Sequence, residues 1–293
     1  MLLKNITEKL GGISQDTESC CIRIQGNDSE NFLQGQLTND ITLTNQNKFQ
    51  ISSFLTTQGK VISTLRIIRD QDNSFIVILN KDLAEYFIEK ISKYILMSKV
   101  NIEIESSYKV FCYIEKQTIN NLDILKKQSI KYIEEQDEYF KSIIFISKNK
   151  DLLNNVKDNS ISPNNLLKIK DIVTNFSRIN INNKEKYIPQ VLYLDELNGI
   201  NFKKGCYTGQ EVVARTHYLG KVKKRIFPVY IKTINQILNK RISNINDEVV
   251  GEIYCNDIIL NNLSLALGII QIDKCNEKLF VDKDELFIMQ PNS

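Results

Sequence analysis

The clearest periodic signal lies in residues 81–95, where Leu83, Phe87, Ile91 and Ile95 recur every fourth position among charged neighbours. That spacing lines the apolar side chains along one stripe and predicts an amphipathic helix. Upstream the period shortens. Residues 49–55 and 61–69 are rich in β-formers and flank Gly59, which predicts a hairpin, with 75–79 as a third strand. Cys21 to Ile24 reads as a short strand and Gly26-Asn27-Asp28 as the turn after it. Asp28 or Ser29 is then placed to cap a helix through Asn31, Phe32 and Leu33. Residues 109–115 and 142–147 are strand-like, and 166–176 is apolar-periodic. Between them, 151–165 is polar and turn-rich, with a helix expected to end near Pro163. Strands alternating with helices predict a mixed α/β body.

The character changes after Gly220. Residues 226–231, 249–254 and 264–272 cluster β-formers, and 280–281 and 285–289 add two short strands. Such spacing predicts a small β-barrel or β-sandwich. The expected boundary separates a body of residues 1–225 from a C-terminal domain of residues 226–293, and 293 residues suffice for both.

Composition narrows the function classes. With 42% apolar and 25% charged residues the chain reads as an ordinary soluble globule. A net charge of +3 predicts no strong general pull on nucleic acid. No apolar run is long enough for a membrane-spanning helix. The start, Met1 to Leu10, carries Lys4, Glu8 and Lys9 and no apolar core, so no secretory signal is expected and the reducing cytoplasm is the expected location. The six cysteines, Cys20, Cys21, Cys112, Cys206, Cys255 and Cys275, form no CxxC pair and no four-ligand spacing for zinc or an iron–sulfur cluster. Contact with a cluster would then be transient or shared with another protein's ligands.

One stretch carries candidate chemistry: Lys204-Gly205-Cys206-Tyr207-Thr208-Gly209-Gln210-Glu211. A thiol between two glycines and beside a cation is placed to be nucleophilic, with Gly205 and Gly209 as its conformational licence. The plain alternative is a small buried hydrophobe. Lys204 is either a surface cation or the electrostatic partner of the thiol. Gln210 and Glu211 fit a helix start, and Tyr207 fits packing. His217 is the only histidine, so a Ser–His or Cys–His mechanism would have to use it; a structural role is the simpler reading. Arg215 and the run Val222-Lys223-Lys224-Arg225 read first as a solvated face.

The eight-residue stretch resembles the K-G-C-Y-x-G-Q-E signature of the YgfZ-type folate-binding proteins, relatives of the glycine-cleavage T protein (aminomethyltransferase). Gly26-Asn27-Asp28-Ser29-Glu30, Leu33-Gln34-Gly35-Gln36-Leu37-Thr38-Asn39-Asp40, Gln58-Gly59-Lys60-Val61, Leu65-Arg66, Tyr187-Ile188-Pro189-Gln190 and Gly199-Ile200-Asn201-Phe202-Lys203 resemble further blocks of that family, in order. The resemblance implies an α+β, T-protein-like body with a ferredoxin-like subdomain, plus a C-terminal antiparallel β-barrel. It implies tetrahydrofolate or a derivative as cofactor. It implies a role in assembling or repairing iron–sulfur enzymes, including those that modify tRNA, with iron–sulfur proteins or assembly factors as partners. Cys206 would be the working group and Lys204 its partner; Gly205, Tyr207, Gly209, Gln210, Glu211 and Arg215 would contact folate.

Three departures change the expectation. Ser63 and Thr64 stand where aminomethyltransferases carry paired aspartates, and a hydroxyl cannot supply their anionic charge, which disfavours one-carbon transfer. Val173 stands where a glutamate anchors the pterin, and Asp171 could replace it only if the segment is shifted. The chain also has no tryptophan. A transferase and a scaffold that has lost folate are the competing readings.

Overall fold

The computed structural model describes residues 10–116, 122–149, 152–156, 162, 165–260 and 262–289. The first sheet is antiparallel. It contains β2 (Ser19–Gln25), β3 (Gln50–Leu55), β4 (Val61–Gln71), β5 (Ser74–Asn80) and β6 (Asn101–Ile104), ordered β3-β4-β5-β2-β6. The β3–β4 hairpin turns at Gly59, whose φ of 72° is the left-handed conformation that glycine adopts freely. Helix α1 (Ser29–Gln36) follows β2, and Asp28 occupies its N-cap position. The Asp28 carboxylate, however, accepts from the backbone N–H of Lys99 at 2.7 Å rather than from the helix.

The expected helix over 81–95 is shorter than its pattern. It starts as a 3-10 turn, Lys81–Leu83, and continues as α2 (Ala84–Ser92). Leu83, Phe87 and Ile91 face the core as their spacing requires. Leu96, just beyond, takes a left-handed φ of 46°, which no continuing helix can contain.

The second sheet holds β1 (Gly12–Asp16), β7 (Lys109–Ile114), β8 (Lys131–Gln136) and β9 (Lys141–Ser147) in the order β1-β7-β9-β8. Alternation along β7 divides its burial. Phe111 and Tyr113 pack with Leu125 of α3 (Leu122–Gln128), while Val110, Cys112 and Ile114 join the main core with α4 (Leu166–Val173). In 151–165 the structure describes a short 3-10 turn, Leu152–Asn155; Pro163 and residues 1–9 lie outside the described residues.

Helix α5 (Gln210–Leu219) precedes a closed six-stranded barrel. Its strands are β10 (Lys224–Ile231), β11 (Arg241–Asn244), β12 (Val249–Leu260), β13 (Leu263–Gln271), β14 (Leu279–Val281) and β15 (Asp284–Ile288), closing as β10-β13-β12-β11-β14-β15. β11, with one apolar residue in four positions, gave no sequence signal. The barrel has its own interior around Val229, Ile253 and Ala266. Its outer side belongs to the body's core through Ile226, Tyr254, Leu265, Leu267 and Ile269. Tyr254 donates to the carbonyl of Asn183 at 2.6 Å, and Asn183 Nδ2 returns a bond to the Tyr254 carbonyl at 3.1 Å. Among the described residues no helix is long and apolar enough to cross a membrane.

A buried chain of alternating charges ties these layers together. Arg66 of β4 and Arg178 both donate to the fully buried carboxylate of Asp171 on α4. Arg178 Nη1 reaches on to Asp16 of β1 at 2.8 Å. Asp16 also accepts from Ser19 Oγ at 2.7 Å and Asn165 Nδ2 at 2.9 Å. The Arg66 guanidinium lies 4.1 Å from the centre of the Phe176 ring, a cation–π contact. Burial pushes the Asp16 carboxyl up, but Arg178 and the hydrogen bonds from Ser19 and Asn165 outweigh it and hold it below its ordinary 3.8.

Replacing Arg178 with methionine leaves the buried Asp16 without a cation and Asp171 with Arg66 alone, and urea unfolding is expected to register a loss of about 3–5 kcal/mol. Because the folded pKa of Asp16 is depressed, its stabilisation is complete above pH 3.8 and fades as pH falls through the lower folded value. Asp16→Asn is expected to be less stable than the parent at pH 7, with the gap closing towards pH 3 in acid-unfolding curves.

Candidate functional site

The loop 204–209 is assembled on the C-terminal end of α1. A helix end leaves carbonyl oxygens without intrahelical partners. Lys204 supplies those partners from 165 to 170 residues away. Its Nζ donates to the carbonyls of Gln34 at 2.7 Å, Leu37 at 2.8 Å and Asn39 at 2.8 Å. An ammonium has three N–H groups, so three carbonyls satisfy it. Nζ also lies 5.3 Å from the centre of the buried Tyr207 ring. Burial pushes the Lys204 amine down to about 8, against a small opposing pull from Asp40. This ammonium was expected beside the Cys206 thiol; its donors are instead committed to backbone.

Other bonds fix the same corner. Thr208 donates its N–H to Gly35 O at 3.3 Å and its hydroxyl to Gln36 Oε1 at 3.0 Å. Asn201 Oδ1 accepts the N–H groups of Lys203 and Lys204, and Asn201 N donates to Thr38 O. Asn39 Nδ2 bonds the carbonyls of Ile51 and Asn198. Gln190 Nε2 donates to Val213 O at 2.7 Å.

The two glycines of the stretch differ. Gly209, the residue before α5, has φ 80°, and a Cβ there would sit 2.5 Å from Thr56 O and 3.0 Å from the Gly59 Cα. A Cβ on Gly59 would meet Val212 Cβ at 2.9 Å. The first turn of α5 thus packs backbone against backbone on the β3–β4 turn. Gly205 was expected to be needed as well, but a Cβ on it meets nothing within 4 Å and its φ is not left-handed.

All six cysteines lie among the described residues, and Cys206 alone is exposed. Burial pushes Cys20 up to about 11 and Cys112 up to about 12, so neither is a thiolate near neutral pH. Glu211 and Arg215 are exposed on α5 and Gln210 is half-buried at its start. His217 stacks on Phe202 with ring centres 3.7 Å apart and meets the Tyr218 ring edge-on, which gives it a packing role. Ser63 and Thr64 are buried, and Thr64 Oγ1 donates to Ser177 O at 2.6 Å. Val173 is buried on a helix, and Asp171 is fully engaged by Arg66 and Arg178, so Asp171 is not free to anchor a pterin.

A cleft of about 1010 Å³ opens elsewhere, where the two sheets, α4 and the barrel meet. Glu18, Lys81, Asp82, Lys109, Lys168 and Asp257 are among its charged lining, with Asp16 and Arg178 at its wall. Burial pushes the Asp257 carboxyl up, against Lys168. None of residues 204–215 lines this cleft, so the stretch expected to contact folate lies apart from it. Sequence reasoning missed the cleft; its only signal was charge at isolated positions such as Asp16 and Arg178.

Relatives carrying the name tRNA-modifying protein YgfZ match this chain. The protein from Buchnera aphidicola subsp. Baizongia pistaciae is 29% identical over 211 residues, covering 67% of this chain and 66% of that one. The one from Hamiltonella defensa is 32% identical over 223 residues, covering 70% and 66%. The one from Shigella boydii serotype 4 is 30% identical over 220 residues, covering 70% and 67%. The chain belongs to the YgfZ family. The matches span about two thirds of these YgfZ proteins' own length. No family model matches the chain. Among solved structures, the glycine cleavage system aminomethyltransferase T from Bartonella henselae superposes with a TM-score of 0.72 at 12% identity, over 98% of this chain and 87% of that one. This YgfZ-family chain therefore has the aminomethyltransferase T fold with a closed β-barrel.

Gly209→Ala is expected to cost about 2 kcal/mol or more, because it meets both a left-handed φ and the Thr56 carbonyl. Gly205→Ala is expected to stay within about 0.5 kcal/mol of the parent, as an exposed change without contacts does. Thermal melts of the two variants side by side check the contrast. Lys204→Met leaves three carbonyls unpaired; a loss of about 2–3 kcal/mol and faster amide exchange across residues 203–208 are expected.

Proposed function

We propose that this chain is a YgfZ-type, folate-binding accessory protein that supports assembly or repair of iron–sulfur enzymes, tRNA-modifying ones among them, with the Cys206 thiol as its working group. The observation that carries the reading is the exposed Cys206 on a loop locked to α1 by Lys204 and to the β3–β4 turn through Gly209. A thiol on such a loop is held in one place and still reachable, which is what exchange with another protein's sulfur or metal requires. In a reducing cytoplasm it would remain a thiol. The net charge of +3 favours an indirect effect on tRNA over strong general binding. Against the transferase reading, the hydroxyls of Ser63 and Thr64 are bonded to backbone and offer no carboxylate.

The residues of the large cleft fit a folate in part. Its volume accommodates a pteridine with a tail, and its mixed lining offers carboxylates such as Asp257 and Asp82 to ring N–H groups and cations such as Lys81 and Lys109 to tail carboxylates. Residues 1–225 would then form the folate-binding body and 226–293 the barrel domain that closes one wall. Val173 favours a second reading, a scaffold that has lost its folate, because a buried hydrophobe on α4 cannot pair with a pterin amine.

Titration calorimetry with tetrahydrofolate separates the two. Heat, with a rise in melting temperature, is expected for the first; silence in both favours the bare scaffold. For the thiol, Cys206→Ala expressed in a strain lacking the native gene is expected to leave iron–sulfur enzyme activity at the empty-vector level. Full rescue would remove Cys206 from the mechanism.

A further inference from the structure

Helix α5, which leads away from the Cys206 loop, is barely covered. Val213 is its one buried residue. On the opposite side, Glu211, Arg215 and Tyr218 recur three and four positions apart, flanked by Val212 and Leu219. Tyr218 is 66% exposed and Leu219 84%. Single exposed apolar residues are ordinary, but Tyr218 and Leu219 stand side by side at the end of a ten-residue helix, with Val212 at the edge where it meets the Gly59 turn.

The charge around this patch is one-sided. Residues 203–224 hold six cations and one carboxylate, Glu211, a local net of +5 against +3 for the whole chain. Lys204 is used internally, but Lys203, Arg215, Lys221, Lys223 and Lys224 are exposed and make no ion pair among the described residues. Asp195 and Glu196 are held by Arg225, and Asp40, which faces Lys204, accepts from Thr42 and Gln34.

We propose that this side of α5, with the cationic segments flanking it, docks an acidic partner protein and brings it to the Cys206 thiol; the last step rests on the function proposed above for that thiol. Charge complementarity selects the sign of the partner. The apolar centre selects its class. Tyrosine and arginine are enriched at protein–protein interface centres. Single-stranded nucleic acid instead stacks successive bases on several open aromatic faces, and here Tyr218 alone on α5 offers one, since one face of His217 is closed by Phe202.

The test uses the full chain and fluorescence anisotropy with three probes: a labelled helical Glu/Leu peptide, a poly-glutamate peptide of equal charge, and a single-stranded oligoribonucleotide. The Glu/Leu peptide is expected to bind most tightly, and more weakly as salt rises. Arg215→Glu and Leu219→Ser, both exposed and expected to fold, should each weaken it about tenfold or more. Tighter binding of the oligoribonucleotide, unchanged peptide binding by both variants, or self-association abolished by Leu219→Ser in sedimentation would each overturn the proposal. Cys206→Ala should still bind the peptide. If it binds and also rescues fully in cells, the thiol reading falls and the docking surface stands. If it fails to rescue while Arg215→Glu and Leu219→Ser bind as the parent does, the surface falls and the thiol reading stands.

Discussion

Four charges in a row, Arg66, Asp171, Arg178 and Asp16, set the geometry on which everything else rests. They come from three parts of the chain, Asp171 and Arg178 being seven residues apart, and each is buried. Isolated, any of them would be costly to hold away from water; alternated, each satisfies its neighbour. A hydrophobic contact tolerates sliding, but a guanidinium shared between two carboxylates does not. The row therefore fixes the first sheet, the second sheet and α4 relative to one another, and with them the cleft that Asp16 and Arg178 line.

The Cys206 corner uses a related device with a different counterpart. Lys204 is buried among carbonyls rather than carboxylates, so its charge is solvated by dipoles and is not neutralised. That suits a loop that must be rigid and still lie beside solvent. The Gly59–Gly209 contact works in the same direction by allowing two backbones to touch where side chains would separate them. Rigidity at the thiol thus comes from local bonds, and placement of the cleft from distant ones.

Much of the fold was legible because it is periodic. The hairpin around Gly59, the stripe Leu83–Phe87–Ile91 and the barrel strands announce themselves in alternation or in four-residue steps. What escaped is what periodicity cannot encode. α2 gives way after Ser92 to tighter i→i+3 turns that lead to the left-handed Leu96, and β11 is short and mostly polar. The pairing of Arg66 with Asp171, 105 residues apart, leaves no mark on either residue's neighbours. In the candidate site the residue types were visible, but their partners were not. Gly205 and Gly209 look alike in sequence; the left-handed φ of Gly209 and its approach to Thr56 O and Gly59 tell them apart. Lys204 sits close to the thiol along the chain, yet carbonyls at and just past the end of α1 claim its ammonium.

The barrel's outer wall completes the body's interior, since Ile226, Tyr254 and Leu267 pack there with residues from both sheets. A cut after residue 225 would consequently run through a hydrophobic core and expose it on both fragments. The two halves are bound to melt together, and a descendant of this gene could not shed its barrel as other proteins shed an appended module.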